Sequence, residues 1–280
     1  MVLLRDLLDD PRVIDACPDT KVKMFGTNDP YFSGQWNLRK MRVDKAWEIT
    51  TGSPDVTIAI IDKGTDFFHE DLTSAMWWNP NDAYGDGIDT DADSLWYGQP
   101  MVDDFTGWDF VSNDNQPIPA LTTDGHGTPV AGVAFATRNN SLGVVGVLGA
   151  EGSNGAKMMT LRGSSNASYV SQAIEYAWRK GADVINMSFG VADDVSNSVA
   201  AQIDSAVAHG VIVVAADGNN SVLPYPFSKV AFPATYPPVI AVGATDSNDV
   251  HLYYSSMGAE IDLVAPSGLP YPSSPPLELW

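Results

Sequence analysis

The chain is poor in cysteine, in positive charge and in long apolar runs. Its 280 residues include one cysteine, Cys17, so no disulfide can form within the chain. Only 15 Lys and Arg stand against 35 Asp and Glu, and the net charge of −20 argues against a nucleic-acid partner, because phosphate binding needs positive side chains. No apolar run reaches the roughly 18 residues that a membrane span requires, so no membrane partner is expected. Packing must therefore hold the fold, with bound metal as a further possible means.

Positive charge is absent from the whole stretch 64–137. Seven aspartates fall between Asn79 and Asp104, which we call the acidic segment. Such a block of like charge repels itself unless a cation lies within it. It belongs to a longer stretch, Asn79–Gln116, that is rich in Asp, Gly and Asn and that we predict to be one long inserted loop.

Short apolar runs alternate with amphipathic stretches along the rest of the chain. The runs are rich in β-branched residues, as in strands buried on both faces of a parallel sheet. Each amphipathic stretch ends at a glycine, which is typical of a helix C-terminus. Strands are predicted at Val56–Ile61, Val184–Met187, Val211–Ala215 and Val239–Val242, and helices at Ser168–Lys180 and Ser198–His209. The spacing predicts right-handed strand–helix–strand crossovers and an α/β fold with a parallel sheet.

Three polar residues stand where such a fold can carry chemistry. Asp62 ends the first predicted strand, where α/β sheets place their sites, although an aspartate can also merely cap a turn. His126 lies between two glycines before an apolar stretch that can form a buried helix up to Ala136; a structural histidine is the alternative. Asn219 follows another predicted strand, where its amide can donate to a developing oxyanion or simply belong to a turn.

Taken in order, these segments resemble the subtilisin-like serine proteases, or subtilases, from about Asp29 to Pro266. The matching segments are IAIIDKGTDFFHEDL around Asp62, DGHGTPVAGVA around His126, ADVINMSFG around Ser188, VIVVAADGN around Asn219, and then FPATYPPVIAVGATDSND and EIDLVAP. The resemblance implies a three-layer subtilisin-like α/β fold with a central parallel sheet. It also implies a secreted serine endopeptidase that cleaves peptide or protein substrates through an Asp-His-Ser triad and an acyl-enzyme.

The same resemblance assigns roles to individual residues. His126 would be the general base, Asp62 would fix its tautomer, and Asn219 would donate to the oxyanion. Ser188, Phe189 and Gly190 would form an edge strand that pairs with extended substrate. Leucine is more familiar in the family than Phe189, which implies a bulkier wall in the first subsite.

A structural calcium site is the second implication of the resemblance. The segment RNNSLGVVG at 138–146 resembles the calcium loop that subtilases carry after the catalytic histidine. Its ligands would be the Asp71 carboxylate, the Asn140 side chain and the carbonyls of Arg138, Leu142 and Val144, all hard oxygen atoms that suit Ca²⁺. Within the acidic segment, Asp89, Asp91 and Asp93 alternate after Asp86-Gly-Ile. They resemble a second calcium loop, and a solvated acidic loop is the equal alternative.

Two departures from the family pattern lie next to the proposed catalytic residues, and a pair of serines lies farther along the chain. Lys63 follows the catalytic aspartate where a small hydroxyl residue is usual, and strand alternation is expected to point it away from Asp62. Asp217 replaces a small residue two positions before Asn219. If it faces the first subsite, it would favour basic residues at the cleavage site. Ser255 and Ser256 fall where the family has a surface strand, so a structural role is expected for both.

No serine can be assigned as the nucleophile. After Pro266 the chain reads SGLPYPSSPPLELW, so Ser273 and Ser274 lie among prolines and lack a Gly-Thr-Ser context. Residues 1–22 resemble the end of a protease propeptide, with residues 23–280 as a catalytic domain that is incomplete at its C-terminus. An export signal is expected upstream.

Three interpretations of the whole chain stay open. The favoured one is a partial sequence of an active secreted protease. The alternatives are a catalytically inactive subtilase fold that binds peptide or a partner, and a calcium-stabilised binding module.

Overall fold

A parallel sheet of seven strands forms the centre of the fold. The computed structural model describes residues 27–82, 85–91, 94–95, 99–121, 125–190, 197–219 and 229–268. The strands are β1 (Thr57–Asp62), β2 (Ser94–Leu95), β3 (Gln99–Pro100), β4 (Gly107–Asp109), β5 (Lys157–Arg162), β6 (Val184–Met187), β7 (Ile212–Ala216), β8 (Ile240–Thr245) and β9 (Leu263–Pro266). The large sheet has the order β4-β5-β1-β6-β7-β8-β9, and β2 and β3 form a separate antiparallel pair.

Helices cover both faces of this sheet. They are α1 (Trp36–Lys40), α2 (Val43–Ala46), α3 (Gly127–Phe135), α4 (Ala167–Arg179) and α5 (Asn197–Ala208), with short 3-10 turns at Phe32–Gly34, Thr73–Ala75 and Gly152–Asn154. Alternation along β1 sends Ile61 into the larger core cluster with Ile174 of α4 and Ile203 of α5. It sends Ile60 into a second cluster with Phe135 of α3. The predicted three-layer α/β fold is therefore confirmed.

Local signals explain the helix ends. The side chain of Asn166 accepts a hydrogen bond from the Tyr169 N–H at 3.0 Å and so caps the start of α4. Gly181 follows α4 with a φ of +84°, a conformation that costs glycine little. None of the helices in the described ranges is long and apolar enough to cross a bilayer.

Two sequence predictions about the fold are wrong. The stretch Asn79–Gln116 is not one inserted loop, because β4 lies inside it and pairs with β5, and Trp108 is only 4% exposed. Ser255 and Ser256 do not lie on a surface strand. Both are fully buried in the connection between β8 and β9. In each case burial against the sheet, which local composition does not report, decides the outcome.

Candidate active site

Asp62 and His126 meet at the carboxyl end of β1. Nδ1 of His126 lies 2.9 Å and 3.0 Å from the two carboxylate oxygens of Asp62. The Asp62 side chain is 2% exposed, whereas that of His126 is 55% exposed. Nε2 of His126 forms no hydrogen bond within the described part of the chain. The imidazole is therefore held on one nitrogen and open on the other.

A close approach of backbone brings the two residues together. His126 immediately precedes α3, and Gly127 is the first residue of that helix. A Cβ at Gly127 would lie 2.3 Å from the Gly64 carbonyl oxygen and 2.9 Å from Cβ of Asp62. Only glycine leaves room for α3 to begin this close to the end of β1.

The electrostatics of the pair favour a protonated imidazole. The hydrogen bond to Asp62 raises the pKa of His126 above its ordinary value, while partial burial opposes the rise. The positive charge of Lys63 opposes it as well. Lys63 is exposed and donates its backbone N–H to Asp62 at 2.7 Å, but its ammonium forms no ion pair with Asp62 among the described residues. This agrees with the expected outward direction of the Lys63 side chain.

The segments of the other predicted site residues follow β6 and β7. Asn219 is exposed and stands three residues after the end of β7. Ser188, Phe189 and Gly190 follow β6 and lie outside any described strand, so the expected edge strand is not formed in the chain alone. Their backbone groups make no hydrogen bonds with described residues.

Phe189 is half-buried against the main core cluster. This packing holds the segment 188–190 against the core. It also buries part of the Phe189 side chain, which we predicted to line the first subsite.

The side chain of Asp217 is turned into the fold. It is buried, and Oδ2 accepts a hydrogen bond from Ser255 Oγ at 2.6 Å. Asp217 was expected to favour basic residues at the cleavage site only if it faced the first subsite, and its carboxylate instead bonds to a serine within the fold.

The 138–146 loop and Asp71 come together as predicted, and Asp29 joins them. Asp71 accepts hydrogen bonds from the Asn140 amide at 2.6 Å and from the Val144 N–H at 3.2 Å. Asp29, which the sequence analysis missed, accepts from the N–H groups of Asn139 and Asn140 at 2.8 Å and 3.1 Å. The signal that could have found Asp29 is an acidic residue within a turn-like Asn-Asp-Pro stretch.

The loop has unused acceptors around these carboxylates. The carbonyls of Arg138, Leu142 and Val144 accept no hydrogen bond from any described residue. Burial raises the pKa of Asp71, the negative charge of Asp29 adds to the rise, and the hydrogen bonds from Asn140 and Val144 oppose it. No cluster of three or more His, Cys, Asp or Glu occurs among the described residues. A cation here would therefore be held by two carboxylates with amide and carbonyl oxygens.

A side chain from elsewhere in the chain pairs with two carboxylates of the acidic segment. Lys180, directly after α4, forms ion pairs with Asp91 and, at 3.1 Å, with Asp104. The Tyr176 hydroxyl donates to Asp104 at 2.6 Å. Because the carboxylate of Asp91 faces an ammonium group, the interpretation of this segment as a second calcium loop loses one of its three aspartates. Asp93 lies outside the described residues.

Several predicted features also lie outside the described residues. They are Cys17, the propeptide-like residues 1–22, and Ser273 and Ser274.

Comparison with known proteins agrees with this geometry. The model of the family described as "Subtilase family" matches residues 53–279. Halolysin of Haloferax mediterranei is 34% identical over 250 residues, which cover 88% of this chain and 41% of that protein. Thermitase of Thermoactinomyces vulgaris is 34% identical over 250 residues, covering 89% of this chain and 76% of thermitase.

A solved structure gives the same result. A protease from Pseudoalteromonas arctica PAMC 21717 matches 86% of this chain and 72% of its own, with a TM-score of 0.67 and 25% sequence identity. The chain spans about half the length of several curated relatives, with 41%, 51% and 39% of three of them covered. The family match over most of the chain, together with the Asp62–His126 pair, establishes that the chain belongs to the subtilase family.

Proposed function

We propose that the chain forms the catalytic fold of a serine endopeptidase. The observation that carries the proposal is the Asp62–His126 contact, in which a buried carboxylate holds Nδ1 and leaves Nε2 open. With its proton on Nδ1, the imidazole has a lone pair on Nε2 that can accept the proton of a serine hydroxyl. The serine oxygen then attacks the substrate carbonyl, and His126 later gives the proton to the leaving amine.

Two further groups act on the charges that develop in this reaction. Asp62 stabilises the imidazolium that forms when His126 accepts the proton. The exposed amide of Asn219 donates a hydrogen bond to the oxyanion of the tetrahedral intermediate. The open backbone groups of Ser188, Phe189 and Gly190 pair with an extended peptide substrate. An extracellular site of action is part of the proposal, because one relative is named a "Halolysin-like extracellular serine protease".

The nucleophile is the part of the triad that these 280 residues do not supply in a recognisable form. The sequence contains no Gly-Thr-Ser. We therefore expect that the 280-residue chain by itself does not hydrolyse peptides. The alternative is a catalytically inactive subtilase fold that binds a peptide or partner.

Expression of the gene product at its natural length tests the proposal. We expect peptide hydrolysis and covalent labelling by a fluorophosphonate, both reduced at least about a thousandfold by His126→Ala. His209→Ala is the matched control, because His209 is exposed at the end of α5 and stacks on Trp178. A natural-length product that is neither active nor labelled would overturn the proposal in favour of the inactive peptide-binding fold. Labelling of any serine in the 280-residue chain would overturn the expectation for that chain.

We also propose that the 138–146 loop binds structural Ca²⁺. The supporting observation is the set of unused carbonyls of Arg138, Leu142 and Val144 beside the carboxylates of Asp71 and Asp29. The Asn140 side chain, also predicted from the sequence, completes a set of hard oxygen ligands of the kind that calcium prefers. A bound ion would join the N-terminal part of the chain to this loop and so stabilise the fold.

A thermal melt with and without calcium tests this site. At a calcium concentration a hundredfold above Kd, binding adds about 2.7 kcal/mol, which predicts a rise in Tm of roughly 5–10 °C. Asp71→Ala with Asn140→Ala should abolish the rise. Asp55→Ala with Asn248→Ala is the matched control, because both residues are exposed and outside the loop. An unchanged Tm in the folded wild-type chain would exclude the site.

A further inference from the structure

The turn that carries Asn219 is fixed by its two preceding residues. The Asp217 N–H donates to the Val242 carbonyl at 2.9 Å, and the Asp217 carbonyl accepts from the Ala231 N–H at 2.8 Å. The Gly218 carbonyl accepts from the Ser256 N–H at 3.1 Å. Asn219 itself is exposed and forms no hydrogen bond with described residues. The backbone position of Asn219 is therefore set from positions 217 and 218.

A buried carboxylate–hydroxyl pair lies beneath this turn. Asp217 is 4% exposed and Ser255 is fully buried. Ser255 Oγ accepts a hydrogen bond from the Ala244 N–H at 2.9 Å, and its own proton is directed to Asp217 Oδ2 at 2.6 Å. Gly243 of β8 leaves room for the pair, since a Cβ there would lie 3.2 Å from Asp217 Oδ2 and 3.4 Å from Ser255 Oγ.

Asp217 is a costly residue for so buried a position. Burial raises the pKa of its carboxyl group, and the hydrogen bond from Ser255 opposes the rise. The electrostatic effect of His251, in the connection between β8 and β9, also lowers this pKa. An apolar residue would fill this space at lower cost. A buried carboxylate next to a proposed oxyanion donor is a candidate for a functional role.

We propose that Asp217 is a positioning residue for Asn219, acting through its hydrogen bond to Ser255. The bond ties the turn after β7 to the buried 251–256 connection, so that the backbone carrying the Asn219 side chain is held before substrate arrives. A preorganised donor needs no rearrangement when charge develops on the oxyanion. The catalytic role of Asn219 in this proposal rests on the proposed function. Its immobilisation through Asp217 and Ser255 does not.

Nitrogen-15 relaxation of the 280-residue chain tests the immobilisation directly. In the wild type we expect the backbone amide of Asn219 to have an order parameter of about 0.85, typical of rigid backbone. Ser255→Ala and Asp217→Ala should lower it toward about 0.6. Asp217→Asn should keep an order parameter near that of the wild type, because the new amide oxygen can still accept the hydrogen bond from Ser255 Oγ. A merely structural role would lower Tm in Ser255→Ala without changing the mobility of Asn219.

Ser256→Ala is the matched control. It removes the same hydroxyl group from the neighbouring buried serine and leaves the backbone bond to Gly218 in place. Equal effects of Ser255→Ala and Ser256→Ala, or an immobile Asn219 in a folded Ser255→Ala variant, would overturn the proposal. If Asp217→Ala does not fold, Ser255→Ala and Asp217→Asn still decide the question.

The natural-length product separates this inference from the proposed function. There we expect Ser255→Ala to lower kcat about tenfold and to leave KM nearly unchanged, since an oxyanion donor acts in the transition state. If the natural-length product is inactive but Ser255→Ala still makes Asn219 mobile, the positioning role is supported and the proposed endopeptidase function is excluded. If Ser255→Ala keeps full activity although Asn219 has become mobile, the positioning of Asn219 does not contribute to catalysis.

Discussion

Two acidic regions of the molecule deal with negative charge in different ways. In the acidic segment, Asp91 and Asp104 face the ammonium group of Lys180. In the region of the 138–146 loop, neither Asp29 nor Asp71 forms an ion pair with any described Lys or Arg. Two aspartates of the acidic segment thus have a cationic partner within the fold, whereas Asp29 and Asp71 have none among the described residues. A count of aspartates along the sequence does not show which of them are paired.

The difference comes from what each fold region brings near the carboxylates. The end of α4 places Lys180 beside the acidic segment, and the Lys180 side chain is only 10% exposed. Within the loop, the guanidinium of Arg138 lies over the ring of Trp47 and pairs with Glu151. An arginine held in that way forms no ion pair with Asp29 or Asp71.

Removal of Lys180 is expected to give the largest effect. Lys180→Met leaves Asp91 and the fully buried Asp104 without their ammonium partner, which should cost about 3–5 kcal/mol in the free energy of unfolding. Urea denaturation measures the change. Lys40→Met is the control, since the Lys40–Asp249 pair is exposed and worth about 0–1 kcal/mol. Equal losses in both variants would remove the distinction between the two regions.

Asp29→Asn should weaken calcium binding without abolishing it. The amide oxygen still accepts the N–H groups of Asn139 and Asn140, but the negative charge is lost. We expect calcium affinity to fall about 10- to 100-fold, equivalent to about 1.4–2.7 kcal/mol, as calorimetric titration would show. Asp55→Asn should leave the affinity unchanged. A normal affinity in Asp29→Asn would take Asp29 out of the site.

Added salt should distinguish the buried ion pairs of Lys180 from the exposed Lys40–Asp249 pair. Raising NaCl from about 0.05 M to about 1 M shortens the screening length from roughly 14 Å to 3 Å and weakens exposed pairs far more than buried ones. The stability difference between Lys180→Met and the wild type should therefore change by less than about 0.5 kcal/mol. The smaller difference for Lys40→Met should vanish. Paired urea melts at both salt concentrations provide the measurement, and a strong salt dependence of the Lys180 difference would contradict its burial.

The negative charge of Asp62 has a third kind of partner, the imidazole of His126, which balances it only when the imidazole is protonated. Because the folded pKa of His126 is raised above 6.5, the pair contributes stability that is complete below pH 6.5 and is lost as pH rises through the raised pKa. The effect should be about 0.5 kcal/mol or less, since His126 is more than half exposed and solvent screens the pair. Asp62→Asn should lower the pKa of His126, which NMR titration of the imidazole measures. A wild-type pKa at or below 6.5 would contradict the contact.

Strong local patterns predicted much of the fold. The run Val184–Met187 became β6 with the same bounds, and glycines 181 and 210 ended the two long helices within two residues of the prediction. Asp62 and His126 were found because their motifs combine a strand end and a helix start with flanking glycines. Such features lie within a few residues of one another, so the sequence displays them directly.

The rest depended on contacts between distant parts of the chain. Lys180 lies 89 residues from Asp91, and Asn139 lies 110 residues from Asp29. The three residues of β4 are too few for a period to show, and only their pairing with β5, about 50 residues later in the chain, makes them a strand. The sequence left the direction of the Asp217 side chain open, because the space beside Gly243 and the hydroxyl of Ser255, which hold it, come from distant parts of the chain.

The steric contact at Gly127 has a consequence for engineering. Replacing a helical glycine with alanine usually stabilises a helix by about 1 kcal/mol. Gly127→Ala would therefore be an obvious substitution for raising the melting temperature. Here the added methyl group would meet Asp62 and the carbonyl of Gly64, and α3 would have to move away from β1 with His126 at its start. At this position the steric conflict offsets the usual gain from alanine, so Gly127→Ala is a poor route to stability and would disturb the Asp62–His126 contact.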